Sequence, residues 1–368
     1  MRSLSAGVEV KILTGDNALV TQKVCRDVGL AVKRLVTGDD LQAMAPAQIE
    51  DLAEQATVFA RLSPSQKEQI IQALRRRNHV VGYLGDGIND APSLRAADVG
   101  ISVDTAVDVA KEAADIVLLE KSLLVLQDGI MEGRRVFNNI VKYIRMGASS
   151  NFGNMFSVVG GSAFLPFLPM QPIQILVNNL LYDFSQTAIP TDRVDEEQIL
   201  RPRQWNMVTL KKFMIFIGPL SSIFDYATFF LMLYFFHCCR FSLPGTLPAD
   251  KLMYAQLFQT GWFVESLLTQ TLIVHIIRTQ RIPFFQSMAS PGLLFMTALV
   301  MAVGAYLPYS PLAPWLGLVP LPAIYWLWIA FFLLAYSLLT HIVKLGFSGN
   351  LERIKPCTAY SMPCMKAA

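Results

Sequence analysis

Beyond about residue 143 the chain becomes a succession of long apolar stretches, and nothing else in it constrains the fold as strongly. Each stretch is near the ~20 residues that an α-helix needs to cross a bilayer. A backbone in lipid must satisfy its own hydrogen bonds, which a helix does. Six spans are expected, at about 146–166, 172–190, 212–237, 257–277, 291–308 and 323–344. Before residue 143 charges are frequent and apolar runs short. At 53% hydrophobic and 16% charged residues, the chain is too apolar for a soluble domain alone and too charged for a pure membrane bundle. It therefore divides into a soluble part over 1–143, an all-α transmembrane part over 144–345 and a tail over 346–368.

The basic residues set an orientation. Gly133–Arg145 is a basic helical segment just before the first span. Arg193, Arg201, Arg203, Lys211 and Lys212 lie between spans two and three, Arg278 and Arg281 follow span four, and Lys344, Arg353 and Lys355 follow span six. The opposite loops hold only Arg240 and Lys251. Basic loops face the cytoplasm, so the soluble part and the C-terminus are expected there together. Trp315, Tyr325, Trp326 and Trp328 read either as interface anchors or as simple packing. The net charge of +3 gives no sign of a nucleic-acid partner. The five cysteines show neither zinc spacing nor a disulfide framework, and the opening Met1–Gly7 lacks the apolar core of a signal peptide. The tail from Cys357 to Cys364 is read as loose cytoplasmic chain.

The soluble part alternates strands with helices, which implies a parallel, Rossmann-like α/β sheet. Strands are expected at Val8–Leu13, Lys33–Val36, Val58–Arg61, His79–Leu84, Val99–Val103 and Asp115–Leu119, with a helix ending at Val28 before Gly29. Pro64 and Pro92 stand near helix starts.

Three loops of this sheet carry groups suited to phosphate. The octapeptide Gly85-Asp86-Gly87-Ile88-Asn89-Asp90-Ala91-Pro92 follows the apolar run Val80–Leu84, read as a buried strand. It sets two carboxylates four residues apart on a glycine-bracketed turn at the strand's C-terminal end, where open parallel sheets bind ligands. Asp86 and Asp90 suit Mg²⁺, which takes a few carboxylates plus phosphate oxygens and water. The plainer reading is an acidic strand-to-helix turn capped by Asn89 or Asp90. Thr14-Gly15-Asp16 offers a hydroxyl, a free N–H and a helix N-terminus; its alternative is a simple N-cap turn. Lys67, early in a helix after Ser63-Pro64, is either a point charge for a phosphoryl group or a surface lysine.

The first two spans contain polar groups that a passive anchor does not need. Asn151 and Asn154 are three apart and Asn179 and Asp183 four apart, so each pair shares a helix face. Amide and carboxylate oxygens suit a hard cation such as Mg²⁺; the alternative is hydrogen-bond glue between helices. Glu265, in the fourth span, either lines a pathway or caps a helix near the interface.

The hydroxyl–lysine–acid-pair order is that of a haloacid-dehalogenase-type phosphotransferase. Thr14-Gly15-Asp16, Lys67, the Gly85–Pro92 octapeptide, Ala96-Ala97-Asp98-Val99-Gly100-Ile101 and Ala113-Ala114-Asp115-Ile116-Val117-Leu118 together resemble the phosphorylation domain of P-type ATPases. The likeness runs in order over essentially the whole chain. Tyr182–Gln186, Ile189–Asp192, Gly261–Leu267 and Leu272–Gln280 resemble the bacterial magnesium-transporting type. The resemblance implies that Asp86 and Asp90 hold a catalytic Mg²⁺, and that Thr14 and Lys67 act catalytically on the phosphoryl group. It implies that Gly15, Asp16 and Asn89 help bind nucleotide or phosphate, and that Asn151, Asn154, Asn179 and Asp183 ligate the transported ion. It further implies a translocase of the bacterial inner membrane that couples ATP hydrolysis to Mg²⁺ import, with Mg²⁺ and ATP as cofactor and substrate.

One departure stands out. The family's phosphorylated aspartate lies in an Asp-Lys-Thr-Gly segment, and none occurs here. The segment that the family inserts as a nucleotide domain is also missing, with the actuator domain and four earlier helices. The expectation is therefore the C-terminal portion of such a pump, inactive toward ATP by itself and partnered by a missing N-terminal portion. The alternatives are a pump for another cation, Ca²⁺ or H⁺, or a non-catalytic membrane partner protein.

Overall fold

The structure, a computed structural model, describes residues 7–120, 122–200, 202, 205 and 207–351. The tail cysteines Cys357 and Cys364, and the loop residues Arg201 and Arg203, lie outside the described residues. The chain divides into two compact units, 1–134 with 200–202, and 135–199 with 203–368.

The first unit holds six short strands: β1 (Ile12–Leu13), β2 (Leu35–Thr37), β3 (Val58–Ala60), β4 (Gly82–Leu84), β5 (Val99–Val103) and β6 (Ile116–Leu118). Between them run α1 (Ala18–Asp27), α2 (Gly38–Gln42), α3 (Pro46–Gln55), α4 (Pro64–Arg76), α5 (Ala91–Ala96) and α6 (Asp108–Ala113). All pairings are parallel, as alternation of strand and helix requires. Instead of one sheet, the strands form two of three, ordered β1-β3-β2 and β4-β5-β6. β1 and β4 are thus edge strands, and several strands are shorter than their apolar runs because ladder bonds reach only the residues that face a partner. The edge position also corrects the reading of Val80–Leu84 as buried. Tyr83 points inward at 9% exposure, while Val80 and Leu84 are 77% and 42% exposed.

Two small cores flank α4. Val36, Leu52, Phe59, Ile70 and Leu74 make one; Ile71, Tyr83, Leu94, Val103 and Ala110 make the other. Adjacent residues of one helix, Ile70 and Ile71, thereby serve different cores. The two Ala-Ala-Asp segments act locally. Asp98 accepts the N–H of Val81 at 2.9 Å, and Asp115 that of Gly100 at 2.8 Å. Each carboxylate pins the start of a neighbouring strand.

The second unit is helical: α7 (Leu123–Phe164, of which it takes the part from Arg135), α8 (Pro172–Gln186), α9 (Glu196–Leu200, of which it takes the part to Ile199), α10 (Met207–Phe230), α11 (Pro248–Ile277), α12 (Pro291–Tyr306) and α13 (Ala323–Leu351). Among the described residues, four stretches are long and apolar enough to cross a membrane: Leu210–Phe235, Pro248–Ile277, Pro291–Tyr309 and Ala323–Lys344. α8 is 15 residues long and continues through a 3₁₀ turn at Ile189–Thr191. α10 carries Pro219 in its interior and ends in a π turn over Leu231–Phe235.

α11 is the axis of this unit. Its most apolar window is 89% buried in protein, among Phe224, Phe229, Phe258, Trp262 and Tyr325. α7 and α10 cross closely at paired glycines. A Cβ on Gly153 would lie 2.7 Å from the Gly218 carbonyl oxygen, and the Ser222 hydroxyl donates to the Gly153 carbonyl at 3.0 Å. A buried ionic cluster ties helix ends together. Asp192 accepts from Lys142 Nζ at 2.8 Å, from Arg278 at 3.0 Å and from the Ser290 N–H at 3.1 Å. Cys25 and Cys238 are buried free thiols and Cys239 an exposed one.

Candidate phosphoryl site and polar groups of the helical unit

α4 begins with a complete capping box. Gln66 N–H donates to Ser63 Oγ at 3.3 Å, Ser63 N–H donates to Gln66 Oε1 at 2.9 Å, and Pro64 takes the first helical position. This fixes Lys67 in the first turn. From there Lys67 Nζ donates to Asp90 Oδ1 at 2.8 Å, with the two side chains 12% and 14% exposed. Tyr83 from β4 donates its hydroxyl to the same oxygen at 2.8 Å, and Gly87 N–H donates to Oδ2 at 3.2 Å. Asp90 makes no capping bond to α5, so the plain reading of this residue as a helix cap is replaced by an ion pair.

Burial pushes the Asp90 carboxyl up, but its bonds from Lys67, Tyr83 and Gly87 outweigh that and hold it below the ordinary value. Burial, and then the bond to Asp90, push the Tyr83 phenol up, which keeps it a neutral donor. Gly85 is required by close approach, since a Cβ there would lie 2.6 Å from the Asp90 Cβ. The loop is held from behind by Ser102 Oγ, which donates to the Gly85 carbonyl at 2.9 Å, and by Val107 N–H on the Asp86 carbonyl at 3.3 Å. Asp86 and Asn89 are exposed at its tip.

The Thr14-Gly15-Asp16 loop meets the other side of the α4 start. Leu62 N–H donates to the Thr14 carbonyl at 3.0 Å and Arg61 N–H to the Asp16 carbonyl at 2.9 Å. Arg61 adopts a left-handed φ of 53° in doing so. Thr14 Oγ1 donates to Asp16 Oδ2 at 2.9 Å, so the Asp16 carboxylate orients the hydroxyl. The helix cap of α1 is Asn17, whose side chain accepts from Leu19 N–H at 2.9 Å. Two of the three loops are therefore joined to the ends of one short segment, Arg61–Lys67, by main-chain bonds on one side and an ion pair on the other. The donor set at Asp86 and Asp90 is hard oxygen, and among the described residues no group of three His, Cys, Asp or Glu side chains is placed to hold a metal ion. Two carboxylates alone match Mg²⁺, which retains waters and phosphate ligands.

The polar candidates of the helical unit separate into two environments. Asn151 and Asp183 are exposed and Asn179 is half-buried. Asp183 lines a cleft of about 550 Å³ with Asn139, Tyr143 and Gln186. Asn154 faces inward, where its Oδ1 accepts from Gln270 Nε2 of α11 at 2.9 Å. Among the described residues no hydrogen bond joins Asn151, Asn154, Asn179 and Asp183 to one another. Glu265 is 1% exposed at mid-α11, which removes the reading of it as a cap near an interface. Residues that the sequence pattern did not single out share this interior. Asn178 donates to the Phe263 carbonyl at 3.2 Å. Asp225 accepts from Ser157 Oγ at 2.6 Å and from Trp262 Nε1 at 2.8 Å. The signal for Asp225 was present: a lone acid inside the apolar run of the third span.

Comparison with known proteins fits this division. Residues 167–346 match a family model described as cation transporting ATPase, C-terminus. Residues 2–98 match the haloacid dehalogenase-like hydrolases. The chain is 57% identical over 343 residues to a magnesium-transporting ATPase, P-type 1, of Escherichia coli K12, covering 93% of this chain and 37% of that protein. It is 56% identical to the protein of that name in Salmonella typhimurium LT2, with the same coverage. Over 183 residues it is 39% identical to a probable cation-transporting ATPase F of Mycobacterium tuberculosis H37Rv. The chain thus spans a little over a third of the length of the curated relatives it matches most fully.

Proposed function

We propose that this chain, which belongs to the P-type cation-transporting ATPases, serves as the phosphoryl-handling and ion-conducting portion of a pump that uses ATP to move Mg²⁺ into a bacterial cell. The observation that carries the reading is the Lys67–Asp90 ion pair at the start of α4, on whose other side the Thr14–Asp16 loop is hydrogen-bonded to Arg61 and Leu62. Phosphoryl transfer depends mostly on positioning and electrostatic stabilisation, and here the loops are anchored by main-chain bonds while the Lys67 and Thr14 side chains are oriented by Asp90 and Asp16. Lys67 supplies a cation to the transferring phosphoryl oxygens, Thr14 a hydroxyl donor oriented by Asp16, and Gly15 a main-chain N–H. Asn89, exposed beside them, contributes to phosphate binding. Asp86 and Asp90 would hold Mg²⁺, which when bound neutralises negative charge on the phosphates.

In the same reading α7, α8 and α10–α13 are six membrane spans, with the first unit and the C-terminus in the cytoplasm. Asn151, Asn154, Asn179 and Asp183 lie along the ion path. The identity with magnesium-transporting relatives supports Mg²⁺ as the transported ion.

The test uses a whole pump carrying this chain as its C-terminal portion, in a strain whose growth depends on Mg²⁺ uptake. Asp90→Asn and Lys67→Met are expected to lower turnover by about 10²-fold or more, the usual cost of removing one electrostatic stabiliser, and to abolish growth at low Mg²⁺. Asp183→Asn is expected to abolish growth as well. Normal growth of the Asp90 variant would overturn the phosphoryl-site reading; normal growth of the Asp183 variant would remove that residue from the ion path.

A further inference from the structure

Two acids are buried on neighbouring helices of the second unit. Asp225 on α10 is 2% exposed and Glu265 on α11 is 1% exposed, and Trp262, one turn before Glu265 on α11, donates its indole N–H to Asp225. They differ in what surrounds them. Both Asp225 oxygens accept from protein donors, Oδ2 from Ser157 at 2.6 Å and Oδ1 from Trp262 at 2.8 Å. Neither carboxyl oxygen of Glu265 meets a donor with full hydrogen-bond geometry. Among the described residues no lysine or arginine pairs with either acid. The other titratable groups facing the pair are the phenols of Tyr325 and Tyr336 on α13, and the Tyr325 hydroxyl is spent on the Gly261 carbonyl at 2.6 Å. Phe224, Phe229 and Trp262 complete the enclosure.

Two ionised carboxylates in contact, with no cation and little water, repel far too strongly to coexist; such pairs keep one proton between them. Asp225, with two donors already on it, is the natural anion. Glu265, with orphaned oxygens, is the natural acid. We infer that Asp225 and Glu265 form a proton-binding site, in which Glu265 carries the proton and donates it to the Asp225 carboxylate.

The pair does not suit a metal ion. Mg²⁺ held by one or two carboxylates keeps several waters, whereas this pair is enclosed in an aromatic shell and both Asp225 oxygens are already engaged. The site is also distinct from the exposed row of Asn151 and Asp183. It adjoins Asn154, because Ser157 lies one turn along α7 from it, and Gln270, the partner of Asn154, lies on α11 with Glu265. A bound proton therefore ties α7, α10 and α11 together next to an inward-facing polar contact. The inference needs only the burial of the pair, not the identity of the transported ion, so failure of the transport assays would leave it standing.

Infrared difference spectroscopy of the full chain in lipid nanodiscs tests it. At neutral pH a carboxylic-acid C=O band that shifts in D₂O is expected. Glu265→Gln should remove it. Trp262→Phe, which keeps both acids and removes one donor from Asp225, should shift its frequency without removing it, and remains informative where the Gln variant does not fold. Absence of the band at neutral pH, its survival in folded Glu265→Gln, or an unshifted band in Trp262→Phe would each overturn the proposal. So would loss of the band on addition of Mg²⁺ alone, which would make the pair a metal site.

Discussion

Asp90 shows how one side chain can be overdetermined by its neighbours. Lys67 comes from a helix, Tyr83 from a strand and Gly87 from the loop itself, and all three donate to a single carboxylate. Its folded value is lowered relative to an unfolded carboxyl of about 3.9. The sign follows: this stabilisation is present in full above that unfolded value and is lost as pH falls through the lower folded one. Lys67→Met removes the charged donor from a largely buried acid and is expected to cost about 1–3 kcal/mol. Hydrogen–deuterium exchange of the full chain at neutral pH should show lost protection in β4 and α4. Tyr83→Phe removes a neutral donor and should cost only about 1 kcal/mol. Equal protection in wild type and Lys67→Met would show that the pair adds nothing to stability.

At the scale of elements, α4 and the α7–α10 crossing carry most of the arrangement. α4 is placed by burying Ile70 and Ile71 in separate cores, and its capping box fixes where the helix starts, hence where Lys67 points. The crossing of α7 and α10 depends on the absence of side chains at Gly153 and Gly218, which lets backbones approach as small residues do between membrane helices. Gly153→Ala would press a methyl into Ser221 Oγ as well as against the Gly218 carbonyl. The helices must separate to admit it, at an expected cost of about 1–3 kcal/mol. A lowered thermal midpoint in detergent is the readout, and an unchanged midpoint would mean that the crossing is loose.

Across the second unit as a whole, Asp192 is the point on which most elements converge. Its fully buried carboxylate meets Lys142 of α7, Arg278 beyond α11 and the N–H of Ser290 before α12. Asp192→Asn leaves two buried cations without their anion, and removing one partner of such a group costs about 3–5 kcal/mol. A variant that unfolds at the wild-type midpoint in a denaturing detergent titration would contradict this. Much of the molecule is legible in its sequence. Alternation of strand and helix up to Leu118, apolar runs beyond residue 143, and glycine-bracketed acids after β4 are local patterns, and local patterns fix secondary structure and the types of chemical group on each loop. The division into two sheets is not legible there, because strand pairing is decided by which residues find a partner edge. Nor is the Lys67–Asp90 bond, 23 residues apart, which exists because α4 packs between two cores. Asp225 is visible as an acid in an apolar run, but its partners Ser157, Trp262 and Glu265 come from two other helices. The kinds of element and the chemical groups they carry were thus settled by the order of residues, because both follow from spacing and composition along the chain. Which of those groups are paired, and which are buried together, was settled by the folded molecule, because that depends on how distant segments close around a core.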